Sequence, residues 1–160
     1  VAEQQNAGSV KNCTNRGEIR NNTASYGTAG IVGWIRYNGA TKDYPVKNVI
    51  EVTGNTNYGK VSGGNDAGGI VGTVYNLGKV NDNKNFAPSL QAATFAAGIV
   101  GNAQFTETAV GLDLQNSVEV KNNVSTTTLD QMTVNGTCKD LYVYINNQEY
   151  VTAENNRNAE

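Results

Sequence analysis

The sequence predicts an all-β chain built from stacked repeat units, and three observations predict it. Asn, Gly, Val and Thr number 24, 18, 18 and 16 and make up nearly half of the 160 residues, whereas Leu occurs six times. A helical bundle needs Ala, Leu, Glu, Lys and Arg and avoids Gly and Asn inside its elements, so that class is excluded. A net charge of −2 with 38% hydrophobic residues argues against a charge-swollen disordered chain. The third observation is internal repetition: the tetrapeptide Gly-Ile-Val-Gly occurs at 30–33, 69–72 and 98–101, each time after a small residue (Ala29, Gly68, Ala97).

Taken in chain order, residues 1–7 are a lead-in and the first unit starts at Gly8. Upstream of the first two tetrapeptides lies an Asn-x-Gly-x-(Ile/Val) element, at Asn15–Ile19 and Asn57–Val61, with worn versions at Asn85-Phe86-Ala87 and Asn116–Val120. The tetrapeptides are spaced 39 and 29 residues apart and the Asn positions 42 and 28, so a unit of 28 or 29 residues with one expanded copy explains both series. Gly-Ile-Val-Gly reads as a short strand with its two aliphatic side chains on opposite faces. In Asn-x-Gly-x-Val, Asn opens a turn by bonding its own backbone, Gly takes the left-handed position, and Val starts the next strand. No such unit can bury its apolar face alone; stacked copies share a continuous core with amide ladders at the corners.

These residues resemble GLUG-type repeats, whose units read Asn-(Cys)-x-Asn-x-Gly-x-Val followed by Gly-Gly-Ile-Val-Gly. Val10–Ile19 with Ala29–Gly33 match one unit, Thr53–Gly72 a second, and Asn85–Gly101 a third less closely. The resemblance covers roughly residues 8–120 and implies a parallel β-helix (β-solenoid) of three to four coils. It also implies display on the surface of a bacterium or secretion from it, in adhesin-like proteins or in accessory regions of immunoglobulin-cleaving metalloproteases. It carries over no catalytic residues.

Beyond Gly101 the tetrapeptide does not return. Residues 121–153, with Thr126-Thr127-Thr128-Leu129 and the alternating run Leu141-Tyr142-Val143-Tyr144-Ile145, read as strands capping the open end of the solenoid. Residues 154–160 read as a frayed tail or linker.

Departures from a repeat are where particular function tends to sit. The clearest is the expanded connection after Gly33. Trp34, Arg36, Tyr37, Lys42, Asp43 and Tyr44 make the candidate binding patch, because aromatic faces beside charged groups suit sugar rings or a protein hot spot. The expected partner is a host glycoprotein, an immunoglobulin or a glycan.

Other chemistry finds little footing. The chain has no His, which removes the usual general base and the commonest zinc ligand. Asp66, Asp82, Asp113 and Asp130 show no repeat-aligned clustering. Asn81–Asn85 lacks the central Gly and distal Glu of a calcium loop, so no metal and no cofactor are expected. Scattered basic residues give no nucleic-acid footprint, and no apolar run is long enough to insert in a membrane. Nothing at Val1 has the pattern of a signal peptide, and without an initiator Met the chain reads as a mature product or an excised domain, a monomeric unit of a larger protein. Cys13 and Cys138, 125 positions apart, read as two buried thiols, with a disulfide stapling the two ends of the domain as the alternative that geometry decides. Asn12-Cys13-Thr14, Asn123-Val124-Ser125 and Asn135-Gly136-Thr137 match the glycosylation acceptor pattern.

The expectation is therefore a non-enzymatic binding module or spacer. The alternatives are an accessory domain of a larger secreted hydrolase such as a peptidase, or a carbohydrate-active β-helix enzyme whose acids meet in space. Ice binding is a minor reading, because Thr14, Thr28, Thr56 and Thr73 do not keep one register.

Overall fold

The computed structural model describes residues 1–5, 8–23, 27–36, 50–104, 117–144 and 150–159, and most of them belong to short strands wound into one parallel solenoid. The first full coil comprises β2 (Gly8–Lys11), β3 (Thr14–Asn15), β4 (Ile19–Asn21), β5 (Gly27–Ala29) and β6 (Val32–Arg36). The second repeats this with β7 (Ile50–Thr53), β8 (Thr56–Asn57), β9 (Val61–Gly63), β10 (Asp66–Gly68) and β11 (Val71–Tyr75). The third runs through β12 (Gly78–Asn81), β13 (Lys84–Asn85), β14 (Leu90–Ala92), β15 (Phe95–Ala97) and β16 (Val100–Gln104). Each strand pairs in parallel with its counterpart one coil away, which gives five sheets along the stack.

The coil continues through the stretch expected to cap it. β17 (Val118–Lys121), β18 (Val124–Ser125), β19 (Met132–Val134), β20 (Thr137–Lys139) and β21 (Tyr142–Tyr144) pair in parallel with the third coil. Leu141 occupies the isoleucine column of the tetrapeptide, its carbonyl accepting from the Ile99 and Val100 amides at 2.8 and 3.0 Å. The expected tail also carries strands: β22 (Val151–Glu154) and β23 (Arg157–Asn158) open a further coil, and β1 (Glu3–Gln5) pairs with β6 at the other end. Periodicity of the aliphatic residues hid this, because the last coil keeps its corner amides rather than its Gly-Ile-Val-Gly.

Two apolar compartments run along the stack. Val10, Ile50, Val52, Val80, Val118 and Val120 meet Ile35, Val71, Val74 and Val100 in the larger one, and Val61, Ala67, Leu90, Ala96 and Met132 form the smaller. The tetrapeptide is a bend, not a strand with two faces: in each copy the first Gly and the Ile turn the corner, and the strand starts at Val. Ile31, Ile70 and Ile99 consequently enter the same core as Val32, Val71 and Val100.

The corners hold the coils together. Asn55, Asn83 and Asn123 are fully buried and stack directly above one another. The Asn83 Nδ2 donates backward to the Val52 carbonyl at 2.9 Å and forward to Asn123 Oδ1 at 3.0 Å, while its own Oδ1 accepts from the Asn55 backbone and side-chain nitrogens. Asn156 extends the column and Cys13 begins it, its backbone amide donating to Asn55 Oδ1 at 2.9 Å. A second column runs through Asn15, Asn57, Asn85 and Ser125, with side-chain contacts of 2.8, 3.0 and 3.2 Å. Its asparagines also close their own turns, as the sequence predicts: the amides of Gly17, Gly59 and Ala87 donate to Oδ1 of Asn15, Asn57 and Asn85.

The left-handed residue is not the expected Gly17 or Gly59 but the residue just before the first amide column. Asn12, Gly54, Asp82, Asn122 and Asn155 have φ of 55, 70, 57, 55 and 54°. Asn and Asp tolerate that region because their short polar side chains bond locally, so glycine is not needed. Gly59 serves close approach instead, since a Cβ there would lie 1.9 Å from the Gly17 carbonyl oxygen.

The first Gly of the tetrapeptide is tied to the second amide column. A Cβ on Gly69 would lie 2.2 Å from Asn85 Cγ and 2.1 Å from the Gly98 carbonyl oxygen. The two motifs, 16 residues apart in sequence at Gly69 and Asn85, are thus two sides of one contact.

Three substitutions test this packing. Asn83→Ala should cost about 3 kcal/mol in urea unfolding, because it strands a buried Val52 carbonyl and a buried Asn55 amide. Gly69→Ala should cost at least about 2 kcal/mol by overpacking against backbone. Gly17→Ala, whose Cβ meets nothing closer than 3.9 Å, should leave the midpoint within about 0.5 kcal/mol of the parent.

Candidate binding surface

One edge of the solenoid holds the two longest departures from the repeat. The chain passes from the β6 sheet to the β7 sheet at this edge in every coil. In the second coil the passage from Tyr75 to Gly78 takes only Asn76 and Leu77. In the first, third and fourth coils it leaves at Arg36, Gln104 and Tyr144 and returns at Ile50, Val118 and Val151. The sequence shows the first of these expansions clearly. The others lie between segments whose repeat identity only the pairing reveals.

Of the predicted patch, Trp34 and Arg36 lie on β6 at this edge, while Tyr37, Lys42, Asp43 and Tyr44 fall outside the described residues. Alternation along β6 points Ile35 into the core and sends Trp34 and Arg36 to the other face. The Arg36 guanidinium lies over the Trp34 ring, with Cζ 4.8 Å from the ring centroid. This cation–π pair holds a long cationic side chain in one place. Arg36 is in register with Tyr75, and Tyr75 with Gln104, so a cation, a phenol and an amide succeed one another along the edge. Trp34 also borders a cavity of about 450 Å³ with Ile19, Asn21, Thr28 and Ile31 on its walls. That volume lies in the range of small-ligand sites, with an aromatic wall and few polar groups.

One and two coils on, the same face of the sheet carries a buried polar cluster that sequence reading missed. Trp34, Thr73 and Asn102 share one register column, and the Asp66 carboxylate on β10 faces it. Thr73 Oγ1 donates to Asp66 Oδ2 at 2.7 Å and Asn102 Nδ2 donates to the same oxygen at 3.1 Å. Burial pushes the Asp66 carboxyl above its ordinary value, and the two hydrogen bonds oppose this only in part. Asn102 Oδ1 is buried with no hydrogen-bond partner among the described residues. No spacing signal marks this cluster, because Asp66 meets Asn102 across a coil boundary.

A second surface was also legible but unread. The residues that follow the second amide column are Arg16, Tyr58 and Phe86, and they stack along the outside. Arg16 Cζ sits 4.6 Å from the Tyr58 centroid, and the Tyr58 and Phe86 rings lie 5.3 Å apart at 21°. Their faces cover one another, so this column stabilises successive coils and leaves mainly ring edges to solvent.

The remaining candidates resolve through the corners. Asn81–Asn85 is the corner of the third coil, and the carboxamides of Asn83 and Asn85 are consumed by the two columns. Asn123, within one glycosylation-like triplet, is fully buried there. Cys13 is an exposed free thiol and Cys138 a half-buried one, which corrects the expectation of two buried thiols. Cys13 ends the amide column in the first coil, where only its backbone is needed; Cys138 packs at the margin of the smaller core. Among the described residues no three His, Cys, Asp or Glu side chains come together.

The fold defines the chain as a parallel β-solenoid with an elaborated edge. Comparison with known proteins finds no family model, no curated relative and no solved structure that matches it.

The Asp66 cluster yields a pH prediction. A raised carboxyl favours the protonated form in the fold, so its contribution is present below the ordinary aspartate value of 3.8 and is lost as pH rises through the folded value. Asp66→Asn keeps an acceptor for Thr73 and offers an N–H to Asn102 Oδ1. The variant should melt at or above the parent at neutral pH, by about 1 kcal/mol, with the advantage fading as pH falls towards that value.

Proposed function

We propose that this chain is a non-catalytic binding module and spacer of a bacterial cell-surface or secreted protein. It recognises a host glycoprotein, an immunoglobulin or a glycan through the elaborated edge. One observation carries this reading: three of the five passages between these two sheets are expanded, and the described residues at the first of the three present a clamped Arg36 on Trp34. An expansion repeated on one edge of a rod makes a continuous surface, and surface loops on a rigid scaffold are where recognition resides.

The spacer half of the proposal is supported by the corners. Every coil is bolted to the next by buried amides, which suits a rod that holds a binding edge away from its anchorage. The resemblance to GLUG-type repeats supports the extracellular, bacterial setting.

The test is a glycan array together with pull-down of host glycoproteins and immunoglobulins. An Arg36→Ala, Tyr44→Ala double variant should lose at least about tenfold in affinity for whatever the parent captures, as loss of a hot-spot cation and aromatic does. Arg16→Ala, on a different corner, should bind as the parent does. Undiminished binding by the double variant would remove this edge from the proposal.

A further inference from the structure

The abundant asparagines differ sharply in one respect that bears on chemical modification. An Asn carboxamide is lost when the backbone nitrogen of the next residue attacks its Cγ. That nitrogen must be free of other hydrogen bonds, the carboxamide must be able to turn, and a small next residue must leave room.

The column asparagines fail these conditions together. Asn55, Asn57, Asn83, Asn85 and Asn123 are fully buried, and their carboxamides are engaged on neighbouring coils. The attacking nitrogen is tied up as well. The amides of Thr56, Tyr58, Lys84, Phe86 and Val124 donate to carbonyls of the preceding coil at 2.9, 2.9, 2.8, 2.7 and 2.9 Å.

Asn135 is the reverse case. It lies exposed in the bend between β19 and β20 and is followed by Gly136. The equivalent bend of the third coil, Ala93-Thr94, donates both amides to the second coil, at 3.0 and 2.8 Å. In the fourth coil the bond on this bend is made by the next residue, Thr137, to the Thr94 carbonyl at 2.9 Å, and the Gly136 amide has no partner among the described residues. A Cβ on Gly136 would lie 2.2 Å from that same carbonyl oxygen. The packing therefore demands the one residue type that leaves Asn135 open to attack.

We propose that Asn135 is a self-modification site of this protein. The Gly136 nitrogen gives up its proton to solvent and forms a bond to Asn135 Cγ. The bond from Cγ to the amide nitrogen breaks, and ammonia leaves after taking a proton from water. The product is a cyclic imide, and water opens it at either carbonyl, leaving aspartate or isoaspartate. Both add a negative charge, and isoaspartate adds a carbon to the backbone just before β20. That strand has β15 as its sheet partner and ends its sheet, so the longer backbone loosens Thr137–Lys139 and uncovers Cys138.

The experiment holds the purified chain at body temperature and mildly alkaline pH, with peptide mapping by mass spectrometry and labelling by a thiol reagent over time. Asn135 should convert at least about tenfold faster than any column asparagine, because a buried amide reacts only from its locally opened population. Cys138 labelling should rise as isoaspartate accumulates, and should stay low in Asn135→Gln, whose side chain would need a larger ring. Conversion of column asparagines as fast as Asn135 would overturn the assignment. Equal Cys138 labelling in Asn135→Gln would overturn the loosening of β20. Asn38-Gly39 lies outside the described residues, so the comparison is made against the column asparagines.

Discussion

The structure depends on the buried carboxamide of the first corner column. In a strand of two to five residues few backbone bonds oppose a slip, so register rests on which side chains the neighbouring coils can bury and bond. The Asn83 side chain removes that freedom. It binds the backbone of the coil before it and the carboxamide of the coil after it, so three coils must agree in register at once. Buried polar groups are costly unless satisfied, and a misaligned coil would leave several unsatisfied together. Valine fills the core, but the amides decide which valine meets which.

The glycines make sense as consequences of that column. Because the second column stands at the corner beneath the tetrapeptide, the first Gly of each copy has no room for a side chain. The second Gly brings the β6-type sheet against the β5-type sheet: at Gly101 a Cβ would meet Ala67 backbone at 2.6 Å. One backbone layer therefore lies directly on another, with a few polar side chains, Asp66 among them, filling what room remains. The same contact constrains the rest of the surface. Amides and glycines occupy the corners of the stack, and the two longest insertions fall at the remaining edge, where they disturb no column.

Much of this was legible in the sequence. The repeat length, the turn-forming role of Asn15, Asn57 and Asn85 and the all-β character follow from residues close together in the chain. The first expansion, with Trp34 and Arg36 at its start, was legible for the same reason. The fourth coil was not, because Leu141 and Tyr142 stand where Ile and Val are expected and only pairing with Ile99 and Val100 identifies them. Asn81–Asn85 reads in isolation as a polar loop with a metal-like alternation. It is a corner because Asn55 and Asn123 lie directly before and after it in space.

The sequence by itself determined that this protein stacks repeated β units, with aliphatic residues inside and amides and glycines at the turns. Period and turn chemistry are local, so they can be read from neighbours in the chain. Only the tertiary structure decided which expansions share an edge, that Asp66 is buried against Asn102, and which asparagines are locked while Asn135 is not. Those outcomes depend on contacts one full coil away. The spacing between coils varies with each insertion, so no fixed offset in the sequence reveals them.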